Sequence, residues 1–572
     1  MFSHFLRKLG ALGQAPSEVV EAGGYFWQME PAGVAVLGPK GPNFADLPSI
    51  VVKTNLQRTI TRVNLPTDTI YVKTCRANTP RSWAREILRP AKARLEFENA
   101  RTLARLGIAA IEPLAWGSRS RTWPGNSVLI TRECAGAEPF LEFLEAKSAL
   151  LSTKERSAII REFALFLAKL HEAGVAHPDP HPGNFLIEFH GHVPRFVLID
   201  LHAIRFGKPL DWQTTRENLT LLNRWFQLRT SPFDRYRFWK TYRPSRTTLP
   251  KDGSQSPVEV ERATVLSNNR FWTARLARYR SNNRDSHSVR GSAASGYAIR
   301  ELPKELIESW LSDPDRVFDS PGVRILKDSP SSTVAEIVIE TPIVPRSIIY
   351  KRFRVKNWYS IFKNTLRQSQ AMRSWILGNN VCDRGLPTAR PLAAFEKRRF
   401  GIPLTGYVVF EKVPDAVELD VAVAGLNEVH QKEILQTWAE RLGRLLRLMH
   451  EREVSHRDLK AANILLSRTG LPACHSSKSG REDCHPEDLV LIDLVGVEVG
   501  REVPFQIRVR DLARLNVSFV NSPVVRLSDR LRLLQSYLGP VNCGDWKSWW
   551  KSIAEATEAK VERNRRTGRP LG

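Results

Sequence analysis

LHEAGVAHPDPHPGNFLI (Leu170–Ile187) and MHEREVSHRDLKAANILL (Met449–Leu466) are one passage written twice. Each is followed by a short apolar run that ends in an aspartate, FVLIDL around Asp200 and LVLIDL around Asp493. His171 and His450, Asp179 and Asp458, and Asn184 and Asn463 all stand 279 residues apart, while Lys73 and Lys351, and Glu133 and Glu411, stand 278 apart. Asp200 and Asp493 stand 293 apart, so the second copy carries an insertion of about 14 residues between loop and strand. A register held over paired positions of this chemistry means two tandem domains of one fold. A chain of 572 residues has room for two cores of ordinary size.

The periodicity around the repeats predicts local structure. Leu435, Trp438, Leu442, Leu445 and Met449 step by 3 and 4, as do Ile159, Ile160, Phe163, Leu167 and Leu170, so each repeated loop follows an amphipathic helix. Val197, Leu198 and Ile199, and Val490, Leu491 and Ile492, are short apolar runs that read as buried strands, each delivering its aspartate at the strand end. Between the copies, PSRTTLPKDGSQSP and SNNRDSHSVRGSAASG are polar and rich in breakers, the composition of a linker. The expected organisation is residues 1–47, a segment of unknown role; 48–243, the first domain; 244–321, a basic linker; 322–540, the second domain; and 541–572, an appended helix with a basic tail.

Composition narrows the class. Hydrophobic residues make up 42% and charged residues 25%, which fits neither a disordered chain nor an integral membrane protein. No apolar stretch has the roughly 18 to 20 residues needed to span a bilayer, and MFSHFLRKLGALGQ lacks the pattern of a secretory signal. Six cysteines without a C-x-x-C pair suit a reducing compartment. The expectation is a cytoplasmic protein that touches the inner membrane leaflet peripherally. With 85 basic against 60 acidic residues, the net charge of +25 favours a polyanionic partner. Between Arg262 and Arg290 seven arginines face one acid, Asp285, interleaved with Phe271, Trp272 and Tyr279. Such a run is commonly a solvated helix face; as a docking surface it suits an anionic glycan or glycolipid. No nucleic-acid module is present, and nucleic acid is not expected as a partner.

The chemistry sits in HRDLKAANIL. Its D-x-K-x-x-N spacing, Asp458, Lys460 and Asn463, is that of the catalytic loop of protein-kinase-like phosphotransferases. Phosphoryl transfer needs a carboxylate to orient the acceptor hydroxyl, a cation beside the moving phosphoryl group, and hard oxygen ligands for magnesium. Asp458, Lys460 and Asn463 match these tasks in order, and Asp493 supplies the second magnesium ligand, with Leu494 and Val495 where a D-F-G motif would continue. Upstream, Lys351 in SIIYKRF and Lys73 in TIYVKTC end alternating strands from which an ammonium reaches the α and β phosphates of ATP. In the first copy Glu96 stands on a helical pattern to pair with Lys73; in the second, Ser374 takes its place. Neither copy has G-x-G-x-x-G, so hydroxyls and amides around Ser331, Ser332 and Thr333 are left to hold phosphate. The first copy keeps Asp179 and Asn184, but His181 replaces the lysine and Pro178 the arginine. His181, titrating near neutrality, would do the lysine's work less well, or the site would bind nucleotide without transferring it.

Taken with segments of the K-x-R-x-x-W/F and R-G-L-P-T-x-R-P-L-A style, the tandem HxD and IDL motifs resemble the lipopolysaccharide kinase family, the Kdo and heptose kinases and their InaA-like relatives. The resemblance covers about residues 48–240 and 322–540. It implies an α+β architecture of two bilobal protein-kinase-like domains, each with a small antiparallel-sheet N-lobe and a mostly helical C-lobe. It further implies an ATP-dependent, magnesium-dependent kinase acting on a hydroxyl of an inner-core lipopolysaccharide sugar, Kdo or heptose, or a similar envelope glycan. Carried onto this chain, the site residues are Lys351, Glu411, Asp458, Lys460, Asn463 and Asp493 in the second copy. In the first they are Lys73, Glu96, Glu133, Asp179, Asn184 and Asp200. Backbone near Glu411 is expected to meet adenine. DPHPGN also resembles the UbiB-like atypical kinases, without their K-x-G-Q motif.

Blander readings compete at each point. Asp and Asn in isolation usually cap turns. The first copy alone reads equally well as a degenerate brace, and with Ser374 and His181 together the whole chain reads as a pseudokinase scaffold, or as a kinase acting on a protein or small molecule. Cys474, His475, Cys484 and His485 in the insertion fit no standard zinc spacing and read as a solvated loop. His171 and His450 are expected to pack at helix ends.

Overall fold

Alternation in TIYVKTC and SIIYKRF builds the centre of each sheet, and the two sheets are copies of each other. In the computed structural model the described residues are 19–42, 48–54, 57–78, 83–84, 86–87, 89–120, 125–251, 253–340, 345–354, 368–399, 402–426, 431–467 and 488–568. The chain divides into two units after Thr264.

In the first unit β1 (Val19–Ala22), β2 (Tyr25–Met29), β3 (Ser49–Thr54), β4 (Arg58–Asn64), β5 (Thr69–Cys75), β6 (Pro113–Ser118) and β7 (Ser127–Arg132) form an antiparallel sheet. Its order is β1-β2-β6-β7-β5-β4-β3. The C-terminal part of the unit is helical, with short strands β8 (Glu138–Pro139), β9 (Val175–Ala176), β10 (Phe185–His190), β11 (Val193–Leu198) and β12 (Arg205–Phe206) around the repeated loop. The second unit repeats this. β13 (Ser286–Arg290), β14 (Ala294–Ile299), β15 (Arg324–Ser329), β16 (Ser332–Ile339), β17 (Arg346–Arg354), β18 (Pro391–Arg399) and β19 (Ile402–Glu411) form a sheet in the order β13-β14-β18-β19-β17-β16-β15. The short strands there are β20 (Ala416–Glu418), β21 (Val454–His456), β22 (Ile464–Ser467), β23 (Asp488–Leu491) and β24 (Val497–Val499). Each unit is thus a bilobal α+β domain.

The expected amphipathic helices form at Thr153–Glu172 and Gln431–Glu451. Ser152 and Glu155 close a capping box on the first, satisfying N–H groups that the helix start would leave open. In the second, Leu435, Trp438, Leu442, Leu445 and Met449 are all buried in one apolar cluster with Leu459, Ile464 and Leu491. That cluster is the floor on which the repeated loop rests.

Two boundaries differ from the sequence reading. Residues 19–29, expected to lie in a segment of unknown role, form the β1–β2 hairpin, and its counterpart is β13–β14, inside the passage expected to be a linker. Both hairpins pair onto the sheet, β2 with β6 and β14 with β18. Trp27 and Met29 in one, and Ala294, Ala298 and Ile299 in the other, are buried. The Lys304–Ser312 helix follows, with Trp310 stacked at 6.4 Å on Phe395. A short edge hairpin exposes one face and turns on small residues, so its composition looks like a linker; pairing to a strand distant in sequence is what orders it. The helix Trp546–Arg566, expected as an appendage, places Trp546, Trp549, Trp550 and Ile553 against the core of the second unit.

Gly296 makes the hairpin reading testable. A Cβ there would lie 2.0 Å from the Ala394 carbonyl oxygen and 2.6 Å from the Phe395 Cα. Gly296→Val is expected to destabilise the second unit by about 1–3 kcal/mol through overpacking, read as a lower urea midpoint. An unchanged midpoint would return residue 296 to a linker.

Candidate active site

Each repeated loop is a single 3₁₀ turn hung between fixed points. In the second copy the His456 N–H donates to Asp511 Oδ2 at 2.9 Å, the Asp458 N–H to His456 Nδ1 at 3.3 Å, and the Ala461 N–H to Ser518 Oγ at 3.1 Å. Asn463 Nδ2 donates to the Asp458 carbonyl at 2.7 Å and to its Oδ2 at 3.2 Å. The Ile492 N–H donates to the Asn463 carbonyl at 3.0 Å. That last bond ties the loop to the strand end, where Asp493 adopts a left-handed conformation, φ 55° and ψ 57°. This backbone region is uncommon for a non-glycine residue, and here it turns the carboxylate toward Lys351, whose Nζ lies 2.9 Å from Asp493 Oδ1. Burial alone would raise the Asp493 carboxyl, but the charge of Lys351 outweighs it and holds the group ionised. The geometry brings Asp458, Asn463, Asp493 and Lys351 into one second-copy locus, with Lys460 on the same loop.

The first copy reproduces the frame. The His177 N–H donates to Asn218 Oδ1 at 2.9 Å, the Asp179 N–H to His177 Nδ1 at 3.1 Å, and Asn184 Nδ2 to the Asp179 carbonyl at 2.7 Å. Asp200 is left-handed as well, φ 59°. Lys73 Nζ lies 2.6 Å from Glu96 Oε2 and 2.9 Å from Asp200 Oδ1. Burial would lower the lysine, and the two carboxylates outweigh it and raise its pKa. Glu96, Asp200 and His202 gather donor atoms within 4.8 Å of one another, with the Lys73 ammonium as their cation.

The copies are defective at opposite ends. The first has the full lysine, glutamate and aspartate set but no lysine in its loop. Burial lowers the pKa of His181, and its Nδ1 accepts the Gly183 N–H at 3.1 Å, so the ring is neutral near pH 7 and does not stand in for the charge of Lys460. The second has the full loop, but Ser374 is buried with its hydroxyl donating to the Gln370 carbonyl.

Other expected residues sit as follows. The Glu133 carboxylate is gripped by Arg62 at 2.8 and 2.9 Å, and its N–H donates to the Thr69 carbonyl; the Glu411 N–H donates to the Arg390 carbonyl. Both glutamates therefore mark the chain leaving the sheet. Thr333 is buried in β16, where its hydroxyl donates to Asp328 and accepts from Arg352. The hairpin hydroxyls at the tip are those of Ser331 and Ser332. Cys474, His475, Cys484 and His485 lie outside the described residues. His171 and His450 bond to Tyr242 and Tyr537 at 2.6 and 2.8 Å, as helix-end packing required.

Sequence reasoning missed Asn218 and Asp511, which hold the loops. Their offset of 293, the same as between Asp200 and Asp493, was the available signal.

The buried histidines around these loops carry a pH signature. Burial lowers His171 to about 3 and His177 to about 4, and lowers His450 and His456 as well. In the unfolded chain each protonates near 6.5, so below that pH the unfolded state binds more protons. Stability is then full above pH 6.5 and falls as the pH drops toward about 4. Urea midpoints measured from pH 8 to 5 should decline below 6.5; a flat profile would contradict the neutral, buried assignment.

The description "Lipopolysaccharide kinase (Kdo/WaaP) family" matches residues 52–242 and 343–537, more than half of the chain and once per copy. The chain is 31% identical over 107 residues to a 3-deoxy-D-manno-octulosonic acid kinase of Haemophilus influenzae, a match covering 18% of this chain and 42% of that protein. It is 28% identical over 109 residues to the protein of the same description from Vibrio cholerae, covering 19% and 42%. The chain thus spans less than half the length of these curated relatives. A solved structure, "WaaP in complex with acyl carrier protein", is 21% identical, covering 38% of this chain and 88% of that one with a TM-score of 0.31.

Proposed function

The chain belongs to the lipopolysaccharide kinase (Kdo/WaaP) family, and from that premise we propose that its second copy transfers the γ-phosphoryl group of ATP to a hydroxyl of an inner-core lipopolysaccharide sugar, Kdo or heptose. The observation that carries this reading is the tie of the Asp458–Asn463 loop to the strand end of Asp493, with Lys351 at 2.9 Å from the Asp493 carboxylate.

Asp458 Oδ2 receives Asn463 Nδ2, which fixes the carboxylate and leaves Oδ1 for the acceptor. A sugar hydroxyl donating there has its oxygen aimed at the γ phosphorus. As the new P–O bond forms, the bond from phosphorus to the β,γ-bridging oxygen breaks, ADP departs, and the hydroxyl proton passes to Asp458. Lys351 neutralises the α and β phosphates and Lys460 the moving group. The donor set fits magnesium: Asn463 spends its amide nitrogen on Asp458, leaving Oδ1, and Asp493 spends Oδ1 on Lys351, leaving Oδ2, so each residue keeps one hard oxygen for the ion. Magnesium bound there would draw charge from the phosphate oxygens.

The neutral His181 favours a second role for the first copy, nucleotide binding or bracing without transfer. Both readings suit a protein working beside the inner leaflet, and no described helix is long and apolar enough to cross a membrane. The test is incubation of the purified chain with magnesium, labelled ATP and lipopolysaccharide. Label in the glycan that is lost in Asp458→Ala and kept in Asp179→Ala is the expected result; loss only in Asp179→Ala would reverse the two copies. ATP-independent thermal stability with no label at all would favour a scaffold.

A further inference from the structure

The helix Phe505–Val517 runs beneath the catalytic loop of the second copy and touches it at two points, Asp511 under His456 and Ser518 under Ala461. Residues three and four apart share a helix face. Arg514 lies three after Asp511 and four before Ser518, so it occupies the face between the two anchors, on the side of the loop segment that bears Asp458. Arg510 stands four residues earlier on the same face.

These two arginines are under-satisfied. Arg510 Nε and Arg514 Nη1 are shut from solvent without a hydrogen-bond partner among the described residues. Buried N–H groups of that kind normally have one. Burial and the neighbouring Arg510 depress the Arg514 guanidinium below the ordinary arginine range, against the pull of Asp511 and Asp458. Asp511 is already committed to the His456 N–H, and Arg457, the third arginine nearby, is ion-paired with Glu498. Arg510 Nε and Arg514 Nη1 therefore remain for the oxygens of an anion. The first copy offers a control within the same chain: at the offset of 293 that relates Asn218 to Asp511, Arg510 becomes Glu217 and Arg514 becomes Leu221. The copy that lacks the loop lysine lacks this pair as well.

We propose that Arg514, supported by Arg510, is an anion subsite of the second copy that grips a carboxylate or phosphate carried by the acceptor whose hydroxyl faces Asp458. A guanidinium fork matches the two oxygens of either group. Bound there, the anion fixes the sugar in one orientation, so the subsite selects acidic or already phosphorylated sugars over neutral ones. The proposal deepens the lipopolysaccharide-kinase reading and rests on it for the acceptor's identity.

The experiment uses the full chain, Arg514→Gln and Arg514→Lys, with thermal melts to verify folding. Inorganic phosphate is titrated calorimetrically in the presence of Mg-ADP. Transfer is then followed to 3-deoxy-D-manno-octulosonic acid, to its methyl ester, and to a phosphorylated heptose. Expected are a tenfold or greater loss of phosphate affinity in Arg514→Gln, a similar rise in acceptor KM with the KM for ATP unmoved, and loss of the preference for acid over ester. Arg514→Lys, which keeps the charge but not the fork, should fall between. A preference for the sugar acid assigns the subsite to a carboxylate, and a preference for the phosphorylated heptose to a phosphate. Unchanged phosphate affinity and unchanged acid preference in Arg514→Gln would overturn the subsite while leaving the kinase reading standing. Phosphate binding lost in Arg514→Gln, with no transfer to any sugar by the wild type, would uphold the subsite and remove the acceptor reading.

Discussion

Replacing Asp458 by alanine is expected to lower phosphoryl transfer by roughly 10³-fold, about 4 kcal/mol of barrier, while nucleotide affinity stays near the wild-type value. The two effects separate because the groups are separate. Lys351 and Asp493 hold each other at 2.9 Å, and neither bonds to Asp458. The loop also keeps its shape, since Asn463 Nδ2 retains the carbonyl of residue 458. Single-turnover transfer of labelled phosphate and the ATP-dependent shift in melting temperature read the two quantities independently. Transfer within tenfold of wild type would remove Asp458 from the reaction.

The second large effect is on stability, at a residue that never meets substrate. The Asp511 side chain is wholly buried, accepts the His456 N–H, and lies 3.5 Å from His450 Nε2. Asp511→Ala would strand the N–H and remove the buried carboxylate that lies beside His450 and attracts Arg514, a loss of about 3–5 kcal/mol for a broken buried charge arrangement. Asp511→Asn should cost far less, because Asn218 does the same work for His177 in the first copy. Urea unfolding of the two variants decides this: equal losses would mean that the charge of Asp511, and not its acceptor oxygen, holds the loop.

Most of the architecture was legible because duplication doubles every signal. A helix period followed by H-x-D, a five-residue gap to asparagine, and an apolar strand ending in aspartate are each weak alone, but their recurrence at one offset is not. The pair of Lys73 with Glu96 followed from the same register, whereas that of Lys351 with Asp493 came from the structure. The edge hairpins β1–β2 and β13–β14 escaped because their order comes from pairing with β6 and β18, far away in sequence. Thr333 was misjudged as a phosphate contact because the hairpin turns earlier than its hydroxyls suggested.

The sequence by itself determined the duplication, the kinase-like spacing of the second loop and the residue replaced in each copy, since these depend on which residue types recur at which spacing. The tertiary structure alone decided what surrounds them: that His181 is neutral, that Asp511 and Asn218 suspend the loops, and that Arg510 Nε and Arg514 Nη1 are buried with hydrogen bonds unmade. Burial and counter-charge set protonation and satisfaction, and both are properties of three-dimensional neighbours rather than of order along the chain.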